Sequence, residues 1–288
     1  MKWEDTIIEI RKDPLFSDLV RNAYFDEDLV ANVERFRKSP EFLETLRLLR
    51  VYKRDARKLL DIGSGNGIAA VCFTLEGYEV LAIEPDPSIT IGAGAIRILK
   101  EHYQLHKLEV KELFAEELFK ENAAFDIVYV RQALHHAHNL NLFVKSASGL
   151  LKPEGIFVAV REHVIYNEKD KQWFLASHPL QKFYGGENAF TLSEYNCAFN
   201  AAGLKLLKSL SHFENVINYA PLNEKEISKI KKNEIDQYKK YIINKYPLIG
   251  KTVVGWIIYK WIKKISEENF PEEKKVAGRL FSFICKKG

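Results

Sequence analysis

The stretch Asp61-Ile-Gly-Ser-Gly-Asn-Gly67 carries the clearest chemistry in the chain. Glycine at every second position permits a tight turn and lets a ligand lie against bare backbone. Turns of this kind hold the pyrophosphate of dinucleotides at a helix N-terminus, with the spacing Gly-x-Gly-x-x-Gly. Here the third glycine follows one spacer residue, and no lysine follows to meet a nucleoside triphosphate. Asp61 stands directly before the turn, where an anion would repel a pyrophosphate but suits a cationic amino-acid ligand. Glu84 lies 17 residues beyond Gly67 and ends the next apolar run. A carboxylate there can accept hydrogen bonds from both hydroxyls of a ribose.

These residues need strands to carry them. The runs Leu59–Ile62, Val80–Ile83, Leu108–Leu113, Ile127–Val130 and Ile156–Val160 alternate with helical stretches over 66–76, 88–103 and 140–151. Such alternation implies an α/β domain with a parallel sheet covered on both faces. Thr191 and Glu194 match a capping box, Gly203 ends the helix it starts, and Leu204–Leu210 reads as a sixth strand. Residues 1–55 read as a helical N-terminal cap, with Phe42, Leu43, Leu46 and Leu49 at helical spacing after Ser39-Pro40. Residues 213–278 read as a lysine-rich helical insertion, because 279–288, with Arg279-Leu-Phe-Ser-Phe-Ile-Cys285, looks like one last strand of the 56–212 sheet.

At 288 residues, with 47% apolar and 28% charged residues, the chain can bury a full core. Cys72, Cys197 and Cys285 are too far apart for a disulfide framework or a cysteine zinc site. The charged start Met1-Lys-Trp-Glu-Asp-Thr6 and the lack of a run near the roughly 18 apolar residues of a membrane span point to the cytoplasm. Net charge is +4, yet residues 225–264 hold eleven lysines against Glu226, Glu234 and Asp236. Without interleaved arginines this is a weak nucleic-acid signal, and a solvated helix face is the simplest account. A helical projection of 251–265 sets Val254, Ile257, Ile258, Trp261, Ile262 and Ile265 opposite Lys260, Lys263 and Lys264. That face either packs on the domain or makes peripheral contact with an anionic membrane surface.

On the residues of the glycine turn, the chain resembles the class I S-adenosylmethionine (SAM)-dependent methyltransferases, in particular the bacterial quinone-biosynthesis type. Phe125-Asp-Ile-Val-Tyr-Val-Arg-Gln-Ala-Leu-His-His136 and Leu150-Leu-Lys-Pro-Glu-Gly-Ile-Phe157 match further motifs of that family. The resemblance implies a Rossmann-like, seven-stranded, mostly parallel sheet and SAM as cofactor. It implies that Asp61 reads the amino group, that Gly63, Ser64, Gly65 and Gly67 underlie the methionine and ribose portions, and that Glu84 reads the ribose. Pro85 would pack on the adenine, and the backbone of Arg131 would sit beside the sulfonium. The family's aspartate after the third strand is replaced by Phe114, so adenine recognition falls to Ala115, to Glu116 or to stacking on Phe114.

For the acceptor, methyl transfer needs alignment and exclusion of water, and a base only where the acceptor must lose a proton. The candidates for direct chemistry are His135, Glu162, His163 and His178, with His136, Tyr184 and Glu187 nearby in sequence. The aromatic, glycine-bearing segment 178–188 could fold over the acceptor as a lid. No His-x-x-x-His or equivalent spacing is present, so no metal is expected. The expected acceptor is a small molecule, glycan or lipid-linked compound, phosphorylated ones included; this segment, Arg161-Glu-His163 and the terminal strand resemble a bacterial subgroup tied to surface-glycan biosynthesis. Two rival readings remain: an NAD-dependent oxidoreductase using the same ribose carboxylate, and a non-catalytic SAM-fold protein binding a membrane or partner through the insertion.

Overall fold

The computed structural model describes residues 3–115, 117, 123–183, 185–245, 252–257 and 279–288. Its strands are β1 (Lys58–Ile62), β2 (Glu79–Ile83), β3 (Leu108–Lys111), β4 (Phe125–Arg131), β5 (Leu151–Ile165), β6 (Phe190–Thr191), β7 (Leu204–Leu210) and β8 (Arg279–Lys287). They form one sheet in the order β3-β2-β1-β4-β5-β8-β7, with β6 paired to the end of β5. All pairings are parallel except those of β8, which runs antiparallel between β5 and β7. The sheet thus has eight strands instead of the expected seven, the addition being the two-residue β6. β5 also extends well past Ile156–Val160 at both ends, because β8 supplies it with an antiparallel partner as far as Val164.

The helices are α1 (Trp3–Lys12), α2 (Ser17–Asn22), α3 (Leu29–Arg37), α4 (Pro40–Tyr52), α5 (Ile68–Leu75), α6 (Ala93–His102), α7 (Leu140–Leu150), α8 (Glu168–Ser177), α9 (Leu192–Ala201), α10 (Val216–Tyr219) and α11 (Glu224–Lys245). Local chemistry starts several of them. Ser39 accepts from the Phe42 amide ahead of Pro40, and Thr191 with Glu194 completes a reciprocal capping box on α9.

Strand residues alternate between two cores, as the two-residue period of a strand demands. Leu59, Ile127, Tyr129 and Val158 face α3–α6, whereas Leu60, Val128, Val130 and Phe157 face α7 and α9. A third cluster joins α1 and α2, through Ile7, Ile10 and Val20, to Ile91 before α6 and to Leu180 in the 178–189 segment. Of the lysine-rich region, α10, α11 and 252–257 are described; Ile258, Trp261, Ile262, Ile265 and the lysines opposite them lie outside the described residues. No helix among the described residues is long and apolar enough to cross a membrane.

Candidate functional site

A cavity of about 1020 Å³ opens at the carboxyl ends of β1, β2 and β4, where open α/β sheets bind ligands. Its wall includes Asp61, Gly63, Ser64, Gly65, Glu84, Pro85, Ala115 and Arg131, eight of the residues expected around a cofactor. Gly67 stands behind the wall, and Glu116 lies outside the described residues.

The glycine turn is built as its residue types require. Gly63 and Gly67 have φ of +69° and +82°, in the left-handed region open to glycine. A Cβ on Gly63 would stand 2.5 Å from the Cβ of Ala133, and one on Gly67 would stand 2.8 Å from the side chain of Ile96. The first contact sets the turn against the segment after β4, and the second sets α5 against α6. The Gly63 and Ser64 amides both donate to the carbonyl of Ile83, which locks the ends of β1 and β2 together.

Two carboxylates flank this turn. Asp61 is buried, and its Oδ2 has no hydrogen-bond partner within the protein. Burial pushes its pKa up to about 7, against the weaker opposing pull of Ser64 and of the Arg131 charge. A buried acceptor left unpartnered in a residue of a cavity wall is the cost a protein bears where a ligand donor is to bind. The fit to a cationic amino group is direct. Glu84 is also buried, and its pKa likewise rises to about 7. Its Oε2 accepts from the Gly65 amide at 2.7 Å and its Oε1 from the Asp86 amide at 3.0 Å. Each carboxylate oxygen can accept again, so Glu84 both braces the turn and retains capacity toward ribose hydroxyls.

Arg131, on the cavity wall, commits its charge to a buried partner. Its guanidinium donates to Glu41 of α4 through Nε at 2.6 Å and Nη2 at 3.2 Å. Arg161, at the end of β5, lies 3.6 Å from the same carboxylate and donates to the carbonyls of Ile217 and Ala220 around α10. Burial opposes ionisation of Glu41, but the two arginines together outweigh it and hold its pKa below the ordinary value. This link between cap, sheet and insertion went unread in the sequence. Its signal was there, because Glu41 shares the inward face of α4 with Thr45, Leu48 and Leu49.

The four residues expected on the acceptor side do come together, but behind the cavity wall. His135 Nδ1 lies 2.7 Å from Glu162 Oε2, which also accepts from the His135 amide. His163 packs edge-on against His135, with ring centroids 4.5 Å apart, and His178 lies 5.6 Å from His163. Glu187 joins them, 4.0 Å from His135 Nε2 and 3.5 Å from His178 Nδ1. None of these five lines the cavity, whereas His136 does. The His136 Nδ1 is 2.8 Å from the carbonyl of Gly186. A carbonyl only accepts, so Nδ1 carries the ring proton and Nε2 is left as a base. Burial holds the His136 pKa below its ordinary value, which keeps the ring neutral near pH 7. Tyr184 lies outside the described residues.

Spacing along the chain gave no reason to expect a metal, yet the fold gathers ligand atoms of His135, His163 and Glu187 within 4.8 Å of one another. The N-terminal cap also reaches the cavity, through Trp3, Ala23 and Phe25, and Glu4 accepts from the Thr90 hydroxyl at 2.6 Å. Helical periodicity identified the cap but not where its ends come to rest.

The family described as "Methyltransferase domain" matches residues 33–209, more than half of the chain. The ubiquinone biosynthesis O-methyltransferase of Pelagibacter ubique is 25% identical over 150 residues, covering 48% of this chain and 60% of its own length. The protein of the same name from Brucella ovis is 27% identical over 214 residues, covering 70% of this chain and 75% of its own. The chain thus spans about three fifths of the first relative and three quarters of the second. Among solved structures, phosphoethanolamine N-methyltransferase 2 of Haemonchus contortus, in complex with phosphomonomethylethanolamine and S-adenosylhomocysteine (SAH), aligns with a TM-score of 0.54 at 19% identity, over 93% of this chain and 58% of that one. That likeness is one of fold. With the glycine turn, the open carboxylate beside it and the sheet order in place, the chain belongs to the methyltransferase-domain family, the class I group that uses S-adenosylmethionine as cofactor.

Proposed function

We propose that the chain transfers the methyl group of SAM to a hydroxyl of a small, largely apolar acceptor. The observation that carries this is the unpartnered Oδ2 of buried Asp61 on the cavity wall, beside a glycine turn braced by Glu84. Asp61 would hold the amino group of SAM, Glu84 the ribose hydroxyls, and Pro85, Phe114 and Ala115 the adenine. The backbone at Gly63, Ser64, Gly65 and Arg131 would line the methionine and sulfonium portion. A cavity of about 1020 Å³ is at the upper end for a small-molecule site. It has room for the nucleoside and a second molecule against Ile89, Ile91 and Phe143. Two relatives named O-methyltransferases support a hydroxyl as the acceptor group.

In this reading the acceptor oxygen bonds to the methyl carbon as the sulfur–carbon bond breaks, and the hydroxyl proton passes to His136 Nε2. His135, Glu162, His163 and His178 act on His136 through the backbone they share and hold, as positioning residues. Free Cys72, Cys197 and Cys285 fit a reducing cytoplasm. A lipid-linked acceptor taken from a membrane surface is a second reading, favoured by the exposed apolar residues Val253, Val254 and Ile257 near lysine-rich α11. Flotation with anionic vesicles tests it, and a chain left wholly at the bottom of the gradient argues against it. The main proposal is tested by calorimetry with SAH and by SAH release on incubating the chain and SAM with hydroxylated aromatic acceptors. Absence of binding at millimolar ligand, or a thermal shift with NADH and none with SAM, would overturn it.

A further inference from the structure

The histidine cluster behind the cavity has the chemistry of a cation site. His135, His163 and Glu187 each offer one ligand atom, all within 4.8 Å of one another. His178 adds a buried Nδ1 with no hydrogen-bond partner, 3.5 Å from Glu187 Oε1. The orientation of His135 follows from its own neighbour. Glu162 binds its Nδ1 at 2.7 Å, so that nitrogen carries the proton and the Nε2 lone pair points to the side of Glu187, 4.0 Å away. A carboxylate on one imidazole nitrogen that leaves the other for a metal is the usual outer-shell arrangement of a metal-bound histidine.

We propose that His135, His163 and Glu187, with His178 as fourth donor, bind a divalent cation of the zinc type. Imidazole with a single carboxylate suits zinc, which favours four ligands, whereas magnesium takes hard oxygen donors in an octahedron. Bonds of about 2.0–2.1 Å set ligand atoms roughly 3.3 Å apart, so the cluster must contract by about 1–1.5 Å on binding. His178 and Glu187 belong to the segment between α8 and β6, and modest movement there supplies the contraction. His135 follows β4 and His163 lies near the carboxyl end of β5. The cation therefore fastens the 178–189 segment to the sheet. It does so outside the cavity, because none of its ligands lines the wall. The assignment does not depend on the reading of the SAM site, since its ligands are separate from the residues proposed to hold SAM.

Cobalt(II) titration of the chelator-stripped full chain tests the proposal. The expected result is a single-equivalent visible d–d band of tetrahedral intensity, bleached by added Zn²⁺. It is lost in His163→Ala and Glu187→Ala and kept in His106→Gln, with SAH calorimetry on each variant as the check of fold. Glu162→Gln should weaken the cation about ten- to a hundredfold by loosening His135. On the unaltered chain, Zn²⁺ should slow hydrogen exchange across 178–189 while Mg²⁺ does not. Absence of the band, a band unchanged in both ligand variants, or equal protection by Mg²⁺ and Zn²⁺ would overturn the assignment. A chain that binds SAH yet fails these tests refutes the cation site alone.

Discussion

The molecule buries two sets of carboxylates, one on the cavity wall and one away from it. In front, Asp61 and Glu84 border the cavity. Behind it, Glu41 and Glu162 are enclosed by the protein. Burial raises the pKa of Asp61, Glu84 and Glu162 alike to about 7, so the shift by itself does not say which of them meets a ligand. What differs is partnership. Glu41 has two arginines and Glu162 has His135 with two backbone amides, whereas Asp61, on the cavity wall, keeps one carboxylate oxygen without a partner. An enclosed carboxylate is a brace and an open one is a receptor, and only the geometry separates the two.

The sharpest way to break this contrast is to remove one carboxylate from each side. Glu41→Ala leaves Arg131 and Arg161 buried without their shared anion and should cost about 3–5 kcal/mol of stability in urea denaturation. Asp61→Asn should leave the stability of the ligand-free chain unchanged or higher and weaken SAH by about 1.5–3 kcal/mol in calorimetry, the worth of a hydrogen bond to a charged group. If Asp61→Asn instead unfolds the chain and spares binding, the division between brace and receptor fails.

A finer cut lies within the glycine turn. Gly63→Ala forces a Cβ onto Ala133 from a left-handed backbone, and should cost about 1–3 kcal/mol of stability together with loss of SAH binding. Gly65→Ala meets only the Ile91 carbonyl at 3.9 Å, so it should show the smaller effect, which paired thermal melts would reveal.

The pH response sharpens the same contrast. Folding raises the pKa of Asp61, Glu84 and Glu162, so the folded chain holds these protons more tightly than the unfolded one. Their contribution to stability is fully present below about pH 4 and is lost as pH rises through about 7. Binding runs the other way, because a cationic amino group needs Asp61 ionised. SAH affinity should climb up to about tenfold from pH 6 to pH 8, with proton release, and the climb should flatten in Asp61→Asn. The smallest effect is expected for Phe114→Ala, about 1 kcal/mol of SAH affinity from lost stacking at the cavity mouth.

Legibility in the sequence followed the same divide. The receptor side was readable because its parts are close together: Asp61, the glycines and Glu84 fall on two successive strand ends, and their spacing alone argued against a pyrophosphate. The strands that carry them were readable as short apolar runs alternating with helical stretches. The brace side was not. His135, His163, His178 and Glu187 come from separate turns, and no linear spacing foretells that β4, β5 and the 178–189 segment bring them into contact. His135 and His136 are adjacent in sequence yet face the enclosed cluster and the cavity respectively, a choice made by a single short turn. Glu41 was not singled out, although it shares the buried face of α4 with Thr45 and Leu49.

The antiparallel β8 has a consequence for biosynthesis. Among the described residues β7 pairs with β8 alone, and β8 is laid beside β5 from across more than a hundred intervening residues. During translation the parallel strands β1–β6 can assemble early, while the far edge of the sheet waits for the segment beginning at Arg279. Such long-range closure is slow and leaves β7 as an unpaired edge meanwhile, so the ribosome-bound chain is most open to mispairing over the interval in which α10, α11 and the residues after them are being made.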